Sequence, residues 1–128
     1  MNLNIAEQSL QIKFTVKEQF LAVRFNKFWE IPLSHIQQVT TTAPQTTWKE
    51  LRSPGTFIPG LVKAGTYYTG RGKEFWLVNK RKDNYLTIEL QDENYKRIIL
   101  TVEDNESWQQ RLNQGKGIGN WLLVIGNW

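Results

Sequence analysis

The side chains that could do chemistry in this sequence are few and scattered. His35 is the one histidine and there is no cysteine, so thiolate nucleophiles, disulfides and thiolate metal sites are excluded. No second imidazole exists to complete a zinc site. No serine stands in a Gly-x-Ser-x-Gly elbow, so His35 has no evident nucleophile to serve and reads as a surface or edge-strand residue. Carboxylates gather at Asp92-Glu93 and at Glu103, Asp104 and Glu106. The first pair falls in a predicted turn and the second group surrounds a predicted helix start, where solvation and capping account for them. Gly70-Arg-Gly-Lys73 has the look of a phosphate loop. Such a loop needs Ser or Thr after its lysine and then a helix, whereas Glu74 and a predicted strand follow, so a hairpin turn is the better reading. These residues predict no catalytic site, no metal and no cofactor, and the chain is expected not to be an enzyme.

Charge offers one feature with functional content. Residues 49–82 hold Lys49, Arg52, Lys63, Arg71, Lys73, Lys80, Arg81 and Lys82 against only Glu50 and Glu74, while the remainder of the chain is balanced or acidic. Any anionic partner is therefore expected at this middle third. Strand direction divides the group: Arg71 and Lys73 fall at one end of the predicted strands, and Lys63, Lys80, Arg81 and Lys82 at the other, with Arg52 joining them. That set is the candidate contact for an anionic lipid surface, each held cation contributing about 1 kcal/mol. The competing reading is a solvated turn. Tyr67, Tyr68 and Trp76 near this segment could stack nucleic-acid bases, but cross-strand pairing in a sheet explains them better, and nucleic acid is not an expected partner.

The elements that must position these residues read as mostly β. With 128 residues, 40% of them apolar and six Trp, six Phe and four Tyr, the chain has the material for one core. Leu10, Ile12, Phe14 and Val16 alternate with polar residues, and after a polar break at Lys17-Glu-Gln a second strand is predicted over Phe20–Phe25, its inner face Leu21, Val23 and Phe25. Ile31–Val39 follows, with Pro32 demoting its start to an edge or bend. Thr40–Thr47 is a polar loop, and Trp48–Leu51 a short strand whose exposed edge could take a partner. Pro54-Gly55 and Pro59-Gly60 are predicted turns. A meander of four strands then runs over Leu61–Thr69, Glu74–Asn79, Tyr85–Gln91 and Tyr95–Glu103, each expected to pair with the next. Asp104 or Asn105 caps a predicted helix, on which Trp108 and Leu112 lie one turn apart and face the sheets.

The amino-terminal residues lack the charged start and apolar stretch of a signal peptide. The longest apolar run, Trp121-Leu-Leu-Val-Ile125, falls far short of the roughly 20 residues a membrane span needs. Together with the lack of cysteine this points to the cytoplasm or the membrane periphery. Residues 1–113 form the expected domain. Residues 114–128, in which Ile-Gly-Asn-Trp occurs twice, read as an appended repeat-like tail, with an extra edge strand as the rival reading.

Short strands, early turns and a terminal helix bearing a tryptophan resemble the pleckstrin-homology (PH) superfold. More closely, the chain resembles a bacterial family of uncharacterised PH-like proteins. The likeness is carried by Ile31-Pro-Leu-Ser-His-Ile-Gln-Gln-Val39, Arg52-Ser-Pro-Gly-Thr-Phe-Ile-Pro-Gly60, Ala64-Gly-Thr-Tyr67, Lys73-Glu-Phe-Trp76, Tyr95-Lys-Arg97 and Glu103-Asp104. What the resemblance implies is a PH-like barrel: about seven strands in two near-orthogonal antiparallel sheets, closed by a C-terminal α-helix. It implies no particular activity, because that fold serves lipid, peptide and assembly functions alike. The expected function is a non-enzymatic binding or assembly module acting through protein contacts or self-association. The alternative is weak adsorption to anionic membrane lipid through the basic turn cluster.

Overall fold

The computed structural model describes residues 1–24, 26–42, 62–79 and 84–114, and the course of the backbone over 51–58. Among the described residues, nine strands form two sheets. The smaller has the order β1 (Asn2–Ala6), β2 (Ser9–Lys13), β3 (Phe28–Pro32). The larger contains β4 (Ile36–Thr40), β5 (Leu51–Ile58), β6 (Val62–Thr69), β7 (Gly72–Asn79), β8 (Tyr85–Leu90) and β9 (Arg97–Thr101), in the order β4-β8-β9-β7-β6-β5. A 3₁₀ turn over Leu33–His35 carries the chain from the first sheet to the second. The described residues also hold two helices: α1 (Val16–Ala22), between β2 and β3, and α2 (residues 105–114), after β9.

The mostly β character and the terminal helix agree with the sequence reading, but nine described strands stand where about seven were expected, and pairing and element type depart from it as well. First, β8 does not pair with β7. β9 inserts between them, antiparallel to β8 and parallel to β7, with Glu74 opposite Arg97 and Leu77 opposite Leu100. The sheet is therefore mixed, neither the antiparallel meander nor the all-antiparallel layout expected, and the two sheets remain separate among the described residues. Secondly, the predicted strand over Phe20–Phe25 is replaced by α1 and its C-terminal turn, with Phe25 itself outside the described residues. Local hydrogen bonding wins over alternation here. Thr15 is a cap whose hydroxyl accepts from the Glu18 N–H, while the Glu18 carboxylate accepts from the Thr15 N–H, a capping box worth about 1 kcal/mol.

Alternation does decide the sheets. Leu10, Ile12 and Ile31 of the small sheet face Phe75, Leu77, Leu86, Ile88, Ile98 and Leu100 of the large one in a single buried cluster. Trp108 and Leu112 of α2 join it, 6% and 0% exposed, on the helix face that their spacing predicts to meet the sheets. On the other face of the large sheet, Tyr67, Trp76, Val78 and Ile99 form a second buried cluster, so β7 and β9 are covered on both sides, as parallel strands require. Within it Glu74 and Arg97 make a buried ion pair, Arg97 donating from Nε at 2.7 Å and from a terminal nitrogen at 2.6 Å. The Trp76 indole N–H donates to the second Glu74 oxygen at 3.2 Å.

The Pro54-Gly55 pair makes no chain reversal. It lies inside β5, an edge strand, where pairing with β6 slips between Arg52 and Gly55. A proline without an N–H is accommodated at a bulge on a sheet edge. Pro59 and Gly60 lie outside the described residues, as do Trp48–Glu50 and the tail beyond residue 114.

Candidate binding surface

The basic set expected to meet an anionic surface is not brought together by the described structure. Lys63 pairs across from Val78, near the end of β7 where the sequence reading puts it, but its side chain turns inward. Its ammonium lies 3.6 Å from the Trp76 ring centroid and 4.3 Å from that of Tyr67, and the residue is 3% exposed. A cation so placed serves the sheet's second cluster and does not reach a headgroup at the surface. Arg52 sits opposite Tyr67, four residues along β6 from Lys63, or about 13 Å at strand spacing. Lys80, Arg81 and Lys82 lie outside the described residues.

Two of the groups that looked capable of chemistry, His35 and Glu93, bind each other. His35 Nδ1 pairs with Glu93 Oε2, tying the 3₁₀ corner to the β8–β9 turn. Gln91 reinforces that tie, its side-chain amide donating to the Ser34 carbonyl and its N–H to the His35 carbonyl. Asn105, at the start of α2, accepts from the Glu106 N–H and donates to the Tyr85 carbonyl. Among the described residues no group of three or more His, Asp or Glu is placed to hold a metal ion. An open cleft of about 730 Å³ runs between β1, α1 and Trp108, its rim carrying Lys17, Glu18, Glu103 and Asp104. These charges are of mixed sign and do not converge on one point.

The feature that sequence reading missed is the outward face of α1. Val16 is 76% exposed and Phe20 83%, one turn apart, and Val23 at the helix end is 49% exposed. The spacing i, i+4, i+7 puts all three on one stripe, and that stripe faces water. The helix instead turns Ala22 inward, with Glu18, Gln19 and Leu21 half-buried beside it. This reversal of the usual amphipathic arrangement is informative, whereas a single exposed apolar residue is not. The signal was present as Thr15-x-x-Glu18, a capping box preceding apolar residues at helical spacing.

Two further features hold this face in place. Val23 closes α1 in the left-handed conformation, φ 50° and ψ 53°, its N–H bonded back to the Gln19 and Phe20 carbonyls. A β-branched residue there is strained by about 1–2 kcal/mol, since its Cβ crowds the following carbonyl. The turn delivers Arg24 into an aromatic box, its guanidinium 4.2 Å from the Trp29 ring, 5.3 Å from Phe14 and 5.7 Å from Phe75. Burial lowers the Arg24 pKa from its usual value, with the charge of Tyr95 acting in the opposite direction. The excursion then closes: the Phe14 N–H donates to the Lys27 carbonyl at 2.8 Å, and Lys13 pairs across from Phe28, its ammonium 5.7 Å from the Phe28 ring. Phe28 is itself 64% exposed.

No family model, curated protein or solved structure matches the chain.

Proposed function

We propose that this chain is a non-enzymatic binding module that docks on another macromolecular surface through the face built on α1. The single observation carrying this is the outward stripe of Val16, Phe20 and Val23, held in water by a strained helix end. Three apolar side chains on one surface stripe raise the free energy of the isolated protein, and a docking partner removes that penalty. Strain retained at an exposed position points the same way, because removing it would require only a glycine. The non-enzymatic reading is supported by His35, Glu93, Glu74 and Arg97, which bind one another and leave little to act on a substrate.

Membership of the PH-like superfold belongs to this proposal. The mostly β architecture and the Trp108-bearing helix packed on the core support it. The parallel β7–β9 pair and the helix over 16–22 depart from that superfold's plan. A protein partner was the leading expectation and anionic lipid the alternative. The edge of β5, which begins at Leu51, has no strand paired to it among the described residues and would suit the first.

Sedimentation velocity over a range of concentrations, and capture of partners by the immobilised chain, test the docking reading on wild type and Phe20→Ser. Association that depends on Phe20 is expected. A strict monomer whose behaviour is identical in the two proteins, in every association assay, would overturn it.

A further inference from the structure

Resting on the docking reading above, we propose that the partner of the α1 face is an anionic lipid bilayer, met by an apolar tip with a cationic collar. The tip is Val16, Phe20 and Val23, with Phe28 at the foot of the same excursion. The collar is Lys13, Lys17 and Lys27. All three are exposed, and none takes part in an ion pair among the described residues. Lys17 neighbours Phe20 on the helix surface at i, i+3, and Lys13 and Lys27 stand where the excursion begins and ends. The one carboxylate in the segment, Glu18, faces away from the stripe, half-buried, and binds the Met1 ammonium at 2.7 Å.

Charge complementarity selects this occupant over a second copy. A symmetric pair of such faces would set one cationic collar against another, and like charges at a shared interface oppose association. Shape selects a bilayer over a protein groove. The stripe stands out on a single short helix, with Phe20 83% exposed at its middle, and the cleft along α1 is lined by Lys17, Glu18 and Leu21 and not by the stripe residues. An interface that accepts a few apolar side chains at the depth of its headgroups, while drawing lysines to its negative charge, matches both features. The surface differs from the basic turn at Lys80–Lys82. That turn would adsorb by charge alone, whereas the α1 face requires phenylalanine and lysine together.

The test is co-sedimentation of the full chain with vesicles of phosphatidylcholine alone and of phosphatidylcholine mixed with phosphatidylglycerol, at low and high salt. Wild type is expected to sediment with the anionic vesicles only and to be released as salt rises. Phe20→Ser should weaken that partition about ten- to a hundredfold, the factor for one phenylalanine that no longer leaves water. Reversing Lys13, Lys17 and Lys27 to Glu together should weaken it by about a hundredfold or more. Reversing Lys80, Arg81 and Lys82, which lie outside the segment the proposal invokes, should weaken it less than reversing Lys13, Lys17 and Lys27 does. Far-UV circular dichroism and urea midpoints matching wild type show that Phe20→Ser is folded, and Val16→Ser supplies a second variant on the same stripe. Loss with the 80–82 reversal but not with Phe20→Ser would overturn the proposal, as would absence of vesicle binding. In the latter case sedimentation velocity together with partner capture, run on the same proteins, separates the two failures. Association that depends on Phe20 leaves the docking reading standing with a protein partner, and identical behaviour of the two proteins removes it as well.

Discussion

Replacing Glu74 by Gln probes the least expected part of this fold, the parallel β7–β9 pair. Glu74 and Arg97 stand opposite each other in that register, with side chains 1% and 9% exposed. Glutamine keeps the shape and an acceptor for the Trp76 indole but removes the charge that balances the guanidinium. A buried cation left without its partner destabilises by about 3–5 kcal/mol, against a total stability of about 5–15 kcal/mol for a domain. With a urea dependence of about 2 kcal/mol per molar, the unfolding midpoint should fall by about 2 M, at unchanged slope. The companion variant Glu74→Leu with Arg97→Met removes both charges and should be more stable than Glu74→Gln, within about 3 kcal/mol of wild type, because the desolvation of both ions disappears while the Trp76 indole N–H loses its acceptor. A Glu74→Gln protein within about 1 kcal/mol of wild type would refute the reasoning. It would mean that the carboxylate is hydrated in solution and that β7 and β9 are not paired in this register.

Three other substitutions test separate joints of the structure. Val23→Gly relieves the left-handed strain at the end of α1, net of glycine's extra chain entropy, and should raise stability by up to about 1 kcal/mol in thermal melts; an unchanged or lowered melting temperature contradicts the left-handed assignment. Trp108→Ala opens a cavity beneath α2 and should cost about 3–5 kcal/mol by urea titration, while a cost under about 1 kcal/mol would place the indole in water. A double-mutant cycle on His35→Ala and Glu93→Ala should give a coupling of about 0.5–1 kcal/mol, modest because the two side chains are 30% and 21% exposed. No coupling would detach the 3₁₀ corner from the β8–β9 turn.

What could be read in advance was whatever local pattern decides. Leu86, Ile88 and Leu90, and likewise Ile98 and Leu100, alternate because one face of each strand meets the main core, and the turns at Gly70-Arg71, between β6 and β7, and at Asp92–Asn94, between β8 and β9, fall where the sequence predicts them. Trp108 and Leu112 were legible as a helix face packed on the sheets. The order β8-β9-β7 was not legible, because period-two alternation fixes which face a residue takes and says nothing about which strand lies beside it. Over residues 16–23 two periods were superimposed. Leu21 and Val23 suggested a strand, while Thr15, Glu18 and Ala22 specified a helix, and the capping hydrogen bonds settled the contest. Lys63 was misleading for a related reason. A lysine in an alternating strand reads as solvated, and only the pairing of β6 with β7 puts Gly65 opposite Trp76 and opens an aromatic slot for its ammonium.

The chain contains no cysteine, so single cysteines introduced along residues 16–23 report their own exposure through thiol-labelling rates. If α1 presents its apolar stripe to water, Cys at 16 and 20 should label at the rate of a free thiol and Cys at 23 more slowly. Cys at 22 should label only through opening of the fold. Protection at every second position, with 21 and 23 slow and 20 and 22 fast, would instead be the signature of a strand and would remove the surface on which the proposed function stands.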